Sequence, residues 1–331
     1  MSPADDHPAI LVRSTESHDI DLHTQQLQNW DLRYEQLDCG RFEGAFSEVR
    51  WPGMQIFIER TTRRIRQRGM LPADACGAGI LLEGQGPVCL NGQQSDRGTL
   101  IACDAAELDL CTPADCTLAG MVIDGPLLRE ATRRLSDLDA LLQPGALLAM
   151  KPPEASLAPW RTLLTQSVQT VSRQPALMDD DGFRQRLQDD LLYSLISAME
   201  GAHRAQRIYP CDRRKRIVDR ACELILSRPD APPTMLEVCD QVGASPRKLG
   251  YCFNEVLGLS PARYIKAVRL NAVRRELSHG EAAGCSVYDV AARWGFWHFG
   301  HFSADYKRQF AELPSETLRR GRLRQTPPVR H

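Results

Sequence analysis

The chain has 331 residues, and 41 Lys+Arg against 42 Asp+Glu leave a net charge of −1. That length calls for about two domains, and the charge balance excludes both a uniformly cationic chain and an acidic disordered one. Hydrophobic residues make up 43% and charged residues 25%, as in ordinary soluble globular proteins. No run nears the ~20 apolar residues of a membrane helix, and the N-terminal MSPADDHPAI carries no secretory signal, so a cytoplasmic location is expected.

Residues 1–35 read as a polar lead-in with one amphipathic stretch. From 40 to 125, Gly, Pro and Asn punctuate short apolar runs at Met54–Ile58, Gly79–Leu82, Val88–Leu90 and Leu118–Ile123, a β pattern. Asn91-Gly92 between two runs predicts a type I′ hairpin. A small antiparallel barrel or a double-sheet jelly roll fits, either of which can enclose a ligand or simply be packed solid. Near residue 126 the period becomes helical. Leu127, Leu128, Ala131 and Leu135 recur on one face, then Ser156–Val171 and Phe183–Ala202 follow. Leu187, Leu191, Leu195, Ile196 and Met199 form a stripe that is either core or a dimer surface. Gln206–Arg216, with Pro210, reads as a linker. The eleven cysteines form no C-x-x-C and no finger-like quartet, so most should be small buried hydrophobes.

The near-zero net charge hides a split. Residues 1–209 hold 20 Lys+Arg and 29 Asp+Glu, a sum of −9, whereas residues 210–331 hold 21 and 13, a sum of +8. Such asymmetry points to nucleic-acid contact by the basic half. Pro233 and Thr234 lead into a helix, Met235–Val242. Gly243 breaks it, and Ser245-Pro246 opens another with Leu249, Phe253 and Val256 inward. The device recurs: Ser286 caps Val287–Trp294 with Val290 and Ala291 inward, Gly295 turns, and Phe296 starts a helix with Phe302, Tyr306 and Phe310 inward. Between them Pro261–Leu277, anchored by Tyr264, Ile265, Val268, Leu270, Val273 and Leu277, predicts a helix of roughly 25 Å. Two helix-turn-helix units on a rigid spacer could enter successive major grooves, roughly 34 Å apart.

At this point the chain resembles the AraC/XylS transcriptional regulators. The resemblance covers about residues 212–322 and is most specific in DVAARWGFWHFGHFSADYKRQFAELPSETL, residues 289–318. RLNAVRREL (269–277) and GFWHFGHFSADY (295–306), with GRFEGAF (40–46) and CTPADCTLAGMVI (111–123), look most similar to the ethanolamine-utilisation operon regulator subgroup. The expected architecture is then α+β. A cupin-like β-barrel at 1–125 would bind an effector, and 126–205 would form a helical linker and dimerisation region. An all-α DNA-binding domain at 212–322 would carry helix-turn-helix units at about 235–257 and 286–311. The resemblance implies an activator that dimerises and meets promoter DNA and RNA polymerase. It also implies an amine effector such as ethanolamine, with adenosylcobalamin as a candidate co-effector; DNA binding itself needs no cofactor.

In the first recognition helix the inward residues leave Arg247, Lys248, Gly250, Tyr251 and Asn254 facing out. Arg247 can reach guanine O6/N7, while Lys248 suits phosphate. Tyr251 departs from the arginine many family members carry there. In the second, His298, Phe299, Gly300, Ser303 and Ala304 face out, with Phe299 set to touch a thymine methyl or to pack on Trp297. Few of them hydrogen-bond, so this helix should specify less. Lys307, Arg308, Arg319 and Arg320 are phosphate candidates. His298 and His301 form H-x-x-H without a third ligand, so no metal is expected.

An enzyme is not expected. Metal-dependent cupins need inward histidines, and residues 40–125 contain none. No G-x-S-x-G, P-loop or G-x-G-x-x-G occurs. For an ammonium effector the candidate cavity groups are Glu59, Glu83 and Asp109 with Trp51 and Phe57. The competing reading makes the N-terminal domain an effector-independent dimerisation or partner module.

Overall fold

The computed structural model describes residues 10–27, 30–72, 74–104, 107–135, 145–202, 205–207, 213–227, 233–279 and 285–325. The first half is built on two antiparallel sheets. The larger has eight strands: β1 (Leu11–Ser17), β3 (Gly44–Trp51), β4 (Met54–Thr61), β11 (Cys116–Asp124), β6 (Ala75–Glu83), β9 (Leu100–Asp104), β12 (Leu147–Met150) and β13 (Ala205–Arg207), neighbours in that order. The smaller runs β2 (Asp31–Gln36), β5 (Ile65–Met70), β10 (Glu107–Thr112), β7 (Val88–Leu90) and β8 (Gln93–Ser95). The expected closed barrel is therefore corrected to two facing sheets with separate edges. Short punctuated strands specify antiparallel pairing, but closure depends on which edges meet, and the sequence pattern carries no record of that.

The polar lead-in contains two strands and a helix, α1 (Ile20–Gln25), capped by Asp19, whose carboxyl accepts the Asp21 and Leu22 N–H groups. Strand β1 falls within the polar lead-in because LVRSTES is an edge strand paired on one side, to β3, so only part of it is buried. Strand β12 also interrupts the region read as wholly helical. Asn91 and Gly92 join β7 to β8 with φ of 46° and 83°, the two positive values a type I′ turn requires.

Alternation sorts the side chains into layers. The outer face of the large sheet, with Ile56, Ile80 and Met121, packs under α3 (Glu154–Arg173) and α4 (Asp181–Glu200). The stripe at Leu187, Leu191, Leu195, Ile196 and Met199 is spent there as core. A further helix, α2 (Gly125–Leu135), joins this layer through Leu128. Between the sheets lie Phe46, Phe57 and Leu118 from one side and Tyr34, Ile65 and Leu110 from the other.

The second half is helical: α5 (Arg213–Ser227), α6 (Met235–Val242), α7 (Pro246–Leu257), α8 (Pro261–His279), α9 (Val287–Arg293), α10 (Phe299–Phe310) and α11 (Pro314–Gln325). Helix α8 is the shared spine, about 28 Å long at 1.5 Å per residue. Its first half packs with Val218, Phe253 and Val256, its second with Val290, Phe302 and Tyr306. The linker reading of Gln206–Arg216 is partly replaced, since β13 extends to Arg207 and α5 begins at Arg213; residues 208–212, Cys211 among them, lie outside the described residues. Among the described cysteines eight are buried, Cys285 is partly so and Cys39 is exposed. Burial pushes the Cys76 and Cys103 thiols up to about 12.

Candidate nucleic-acid interface and ligand cavity

Two helix–turn–helix arrangements stand on the spine. Thr234 caps α6 in a capping box, its hydroxyl accepting Glu237 N–H while Glu237 returns to Thr234 N–H. Gly243 ends that helix at φ 65°, a left-handed stop that glycine takes without strain. Ser245 then caps α7, accepting Lys248 N–H at 3.3 Å, with Pro246 at the first helical position. In the second arrangement Ser286 and Asp289 form the box, Gly295 turns at φ 80°, and the helix starts at Phe299, three residues later than the sequence predicts.

The inward residues lie as their spacing requires: Leu249, Phe253, Val256, Phe302, Tyr306 and Phe310 are buried. Outward, Arg247, Lys248, Tyr251 and Asn254 are exposed and Gly250 is half-buried. His298, Phe299, Gly300 and Ala304 are exposed and Ser303 is half-buried. Tyr251 accepts from the Arg214 guanidinium at 3.4 Å. Phe299 does not pair with Trp297. Its ring neighbours are Tyr288 at 6.0 Å and Phe302 at 5.7 Å. Lys307, Arg308 and Arg319 stand in solvent, although Arg308 is tied to Asp305. Arg320 is different. It donates to Glu312 at 2.7 and 3.0 Å and lies 3.8 Å from Asp19, so its charge serves the fold rather than an open face.

Sequence reasoning missed the face that joins the two halves. Along β5 and β10, Ile65, Gln67, Leu108 and Leu110 point between the sheets, while Arg66, Arg68, Asp109 and Cys111 point at the helical half. Arg66 grips Asp109 with two bonds of 2.7 Å. Lys215 of α5 reaches the same carboxyl at 2.9 Å and Asp219 at 2.8 Å. Tyr264 of α8 accepts from Arg66 and donates to Glu35 at 3.3 Å. Burial alone would raise the Asp109 carboxyl, but Arg66 and Lys215 outweigh it and hold the group well below the usual carboxylate range. A second cluster joins Arg274 of α8 to Asp19 at 3.1 Å and to Glu312 at 3.1 Å, with Arg275 on Asp21 at 3.0 Å. Between them Asn271 pairs with the Gln36 backbone, accepting its N–H at 3.1 Å and donating to its C=O at 2.9 Å.

The proposed effector residues separate. Phe57 and Glu59 line one cavity between the sheets, with Trp30, Tyr34, Gln67 and Leu110. Trp51 does not: it lies in the core under α3 and α4, and its indole N–H donates to Gln188 at 3.2 Å. Glu83 is exposed at a strand end, accepting from Thr117. Asp109 is on the opposite face of its sheet, in the junction just described.

Residues 238–320 match the family model described as a helix-turn-helix domain. The chain is similar to a probable thc operon regulatory protein of Rhodococcus erythropolis, 35% identical over 129 residues, 39% of each chain. It is also similar to XylDLEGF operon transcriptional activator 1 of Pseudomonas putida, 40% identical over 80 residues, 24% of each chain. Of the curated relatives it matches first, the chain thus spans about two fifths of the length or less. Among solved structures it resembles a probable AraC family transcriptional regulator from Rhodopseudomonas palustris at 35% identity, TM-score 0.30, over 32% of this chain and 97% of that one. The AraC-like transcriptional activator CuxR is similar at 14% identity, TM-score 0.41, over 80% of this chain and 96% of that one. The helical half thus carries a helix-turn-helix domain. Among the described residues, no helix is long and apolar enough to cross a membrane.

Proposed function

We propose that the chain is a sequence-specific transcriptional regulator, an activator, whose helices α7 and α10 enter successive major grooves of promoter DNA while α8 holds their spacing. The observation that carries this reading is that both helices bury one face and leave Arg247, Lys248, Asn254, His298 and Ala304 exposed on the other. Activation is inferred from relatives named as transcriptional activators, and contact with RNA polymerase and a homodimeric state follow from the same reading. Selection from random duplex DNA with the full chain tests it. The expected result is one enriched sequence with two contact blocks about one helical turn apart, and affinity that falls steeply with salt. Equal recovery of all sequences would overturn it.

The two-faced sheet supports effector control. Gln67 and Leu110 line the cavity, while their chain neighbours Arg66 and Asp109 hold the DNA-binding half. A ligand that moves β5 or β10 therefore acts on both, which couples the sites. This cavity favours the effector reading over the partner-module one. Ethanolamine, polar at both ends, suits a nearly apolar wall poorly, and a corrinoid is far larger than the space, so neither belongs to the proposal for this cavity.

A further inference from the structure

We propose that the cavity between the sheets takes a small apolar molecule bearing one hydrogen-bond donor, a hydroxyl or an amine, read by Glu59, and that it rejects carboxylates. This rests on the effector reading above and specifies its ligand class. The cavity measures about 60 Å³. A dry cavity of about 150 Å³ holds benzene, so one ring fits only once the walls open to more than twice the present volume, and a long acyl chain does not fit. Leu108, Leu110, Leu118, Ile101 and Phe57 make the wall apolar.

One end is polar, and its bonding is nearly complete. Glu59 is 3% exposed. Its Oε1 lies 2.9 Å from His23 Nε2 and accepts the Tyr34 hydroxyl at 2.9 Å, and its Oε2 accepts the Gln67 amide at 3.0 Å. Burial first, and Glu59 beside it, push the Tyr34 hydroxyl well up, so it stays a donor. A carboxylate offers about four lone-pair sites. Among the described residues three are met, and the spare one falls to Oε2, whose partner among them is Gln67 alone. An incoming donor completes the set, whereas a second carboxylate would meet like charge in a medium that screens it poorly.

A second observation marks the same wall. Gly79 sits mid-strand in β6, between Gly120 of β11 and Ile101 of β9, where glycine weakens a sheet. A Cβ there would meet only the Ala119 carbonyl oxygen, at 3.5 Å. The missing side chain leaves cavity space that nothing in the fold claims.

Titration calorimetry on the full chain tests the assignment with phenol, aniline, toluene and benzoate, since toluene matches phenol in shape and lacks the donor. Phenol and aniline should bind, toluene about 10- to 100-fold more weakly, and benzoate not at all. Glu59→Leu should erase the gap between phenol and toluene while toluene binding persists as the check on folding. Gly79→Val should abolish both, with an unchanged melting transition or a higher one. Toluene binding as tightly as phenol, benzoate binding best, indifference to Gly79→Val, or no binding by any probe would each overturn the assignment. DNA selection with the same protein separates the two readings. Selected DNA without donor preference sinks the ligand class alone, and donor preference without selected DNA sinks the regulator reading.

Discussion

The positive charge of the helical half is used on two faces in opposite ways. On the face toward the sheets, Lys215 and Arg274 are buried and meet Asp109 and Asp19 of the acidic half. On the face away from it, Arg247, Lys248, Lys307 and Arg319 stand in solvent. The split of −9 and +8 is therefore not wholly a nucleic-acid signal. Part of it is complementarity between the two halves of one chain, and only the solvent-facing remainder is available to phosphate. The faces differ in kind as well. Buried ions are fixed by partners on several sides and are costly to orphan, whereas exposed ones contribute little to the fold and can exchange water for DNA.

The largest break in this comparison comes from the buried face. Asp109→Ala leaves Arg66 and Lys215 enclosed with one carboxyl fewer, and should cost about 3–5 kcal/mol of stability by urea unfolding. Replacing Arg66, Asp109 and Lys215 together by Met, Leu and Met should restore most of that loss, because the one charge that then loses its partners, Asp219, is partly exposed to water. If the single variant unfolds with the wild-type midpoint, the junction is not a locked one.

Acid should act on the same face more gently. Burial raises the Asp19 and Glu312 carboxyls, but Arg274 beside Asp19, and Arg320 and Arg274 beside Glu312, bring both below their ordinary values; Asp109 follows the same pattern. Groups depressed in the folded state stabilise it fully above their unfolded values, about pH 4, and the contribution is lost as pH falls through the folded ones. Melting temperature should therefore hold from pH 7 to about 5 and fall below about 4. In the triple Met/Leu/Met variant that fall should be shallower, and an equal fall in both proteins would place the acid sensitivity elsewhere.

The two faces also differed in how far the sequence exposed them. Along α7 and α10 a 3.6-residue period separates Leu249 and Phe253 from Arg247 and Asn254, so the side each takes can be read without a structure. On β5 and β10 the same logic misleads. Arg66, Arg68 and Asp109 line one side of strands whose other side carries Ile65, Gln67, Leu108 and Leu110, which reads as a solvated face, yet what covers them is α5 and α8, more than 100 residues onward. Nothing local marks Asp109 as a docking group, which is why it was grouped with Glu59 as an effector contact. The strands with interior runs, β4, β6, β7 and β11, were legible for the opposite reason: their residues are covered within the same domain. Strands β1 and β2 are not, since their outer residues are polar.

On the open face, Arg247→Ala should leave the unfolding midpoint within about 0.5 kcal/mol and weaken the selected DNA by roughly 1–3 kcal/mol, with relaxed discrimination at one base pair. Binding assays against the selected site and single-base variants decide it. Uniform weakening on every sequence would make Arg247 a phosphate contact instead, and a large stability loss would mean that the two faces are not separable in this way.

The smallest effect is the sharpest test of what the open face touches. Gly250 lies within α7 and Gly300 near the start of α10, and a Cβ at either would meet nothing within 4 Å. Glycine inside a helix costs about 0.5–1 kcal/mol relative to alanine, and neither position has the positive φ that would excuse it. Alanine at 250 should therefore stabilise the isolated protein by up to about that amount. If α7 lies against DNA at this position, the added methyl instead holds the backbone off, so affinity for the selected site should fall while the melting temperature rises. Those opposite signs separate contact from packing, because a residue that serves only the fold moves stability and leaves DNA affinity alone. Higher stability with unchanged affinity would place Gly250 outside the contact and shift the reading of bases toward Arg247 and Asn254.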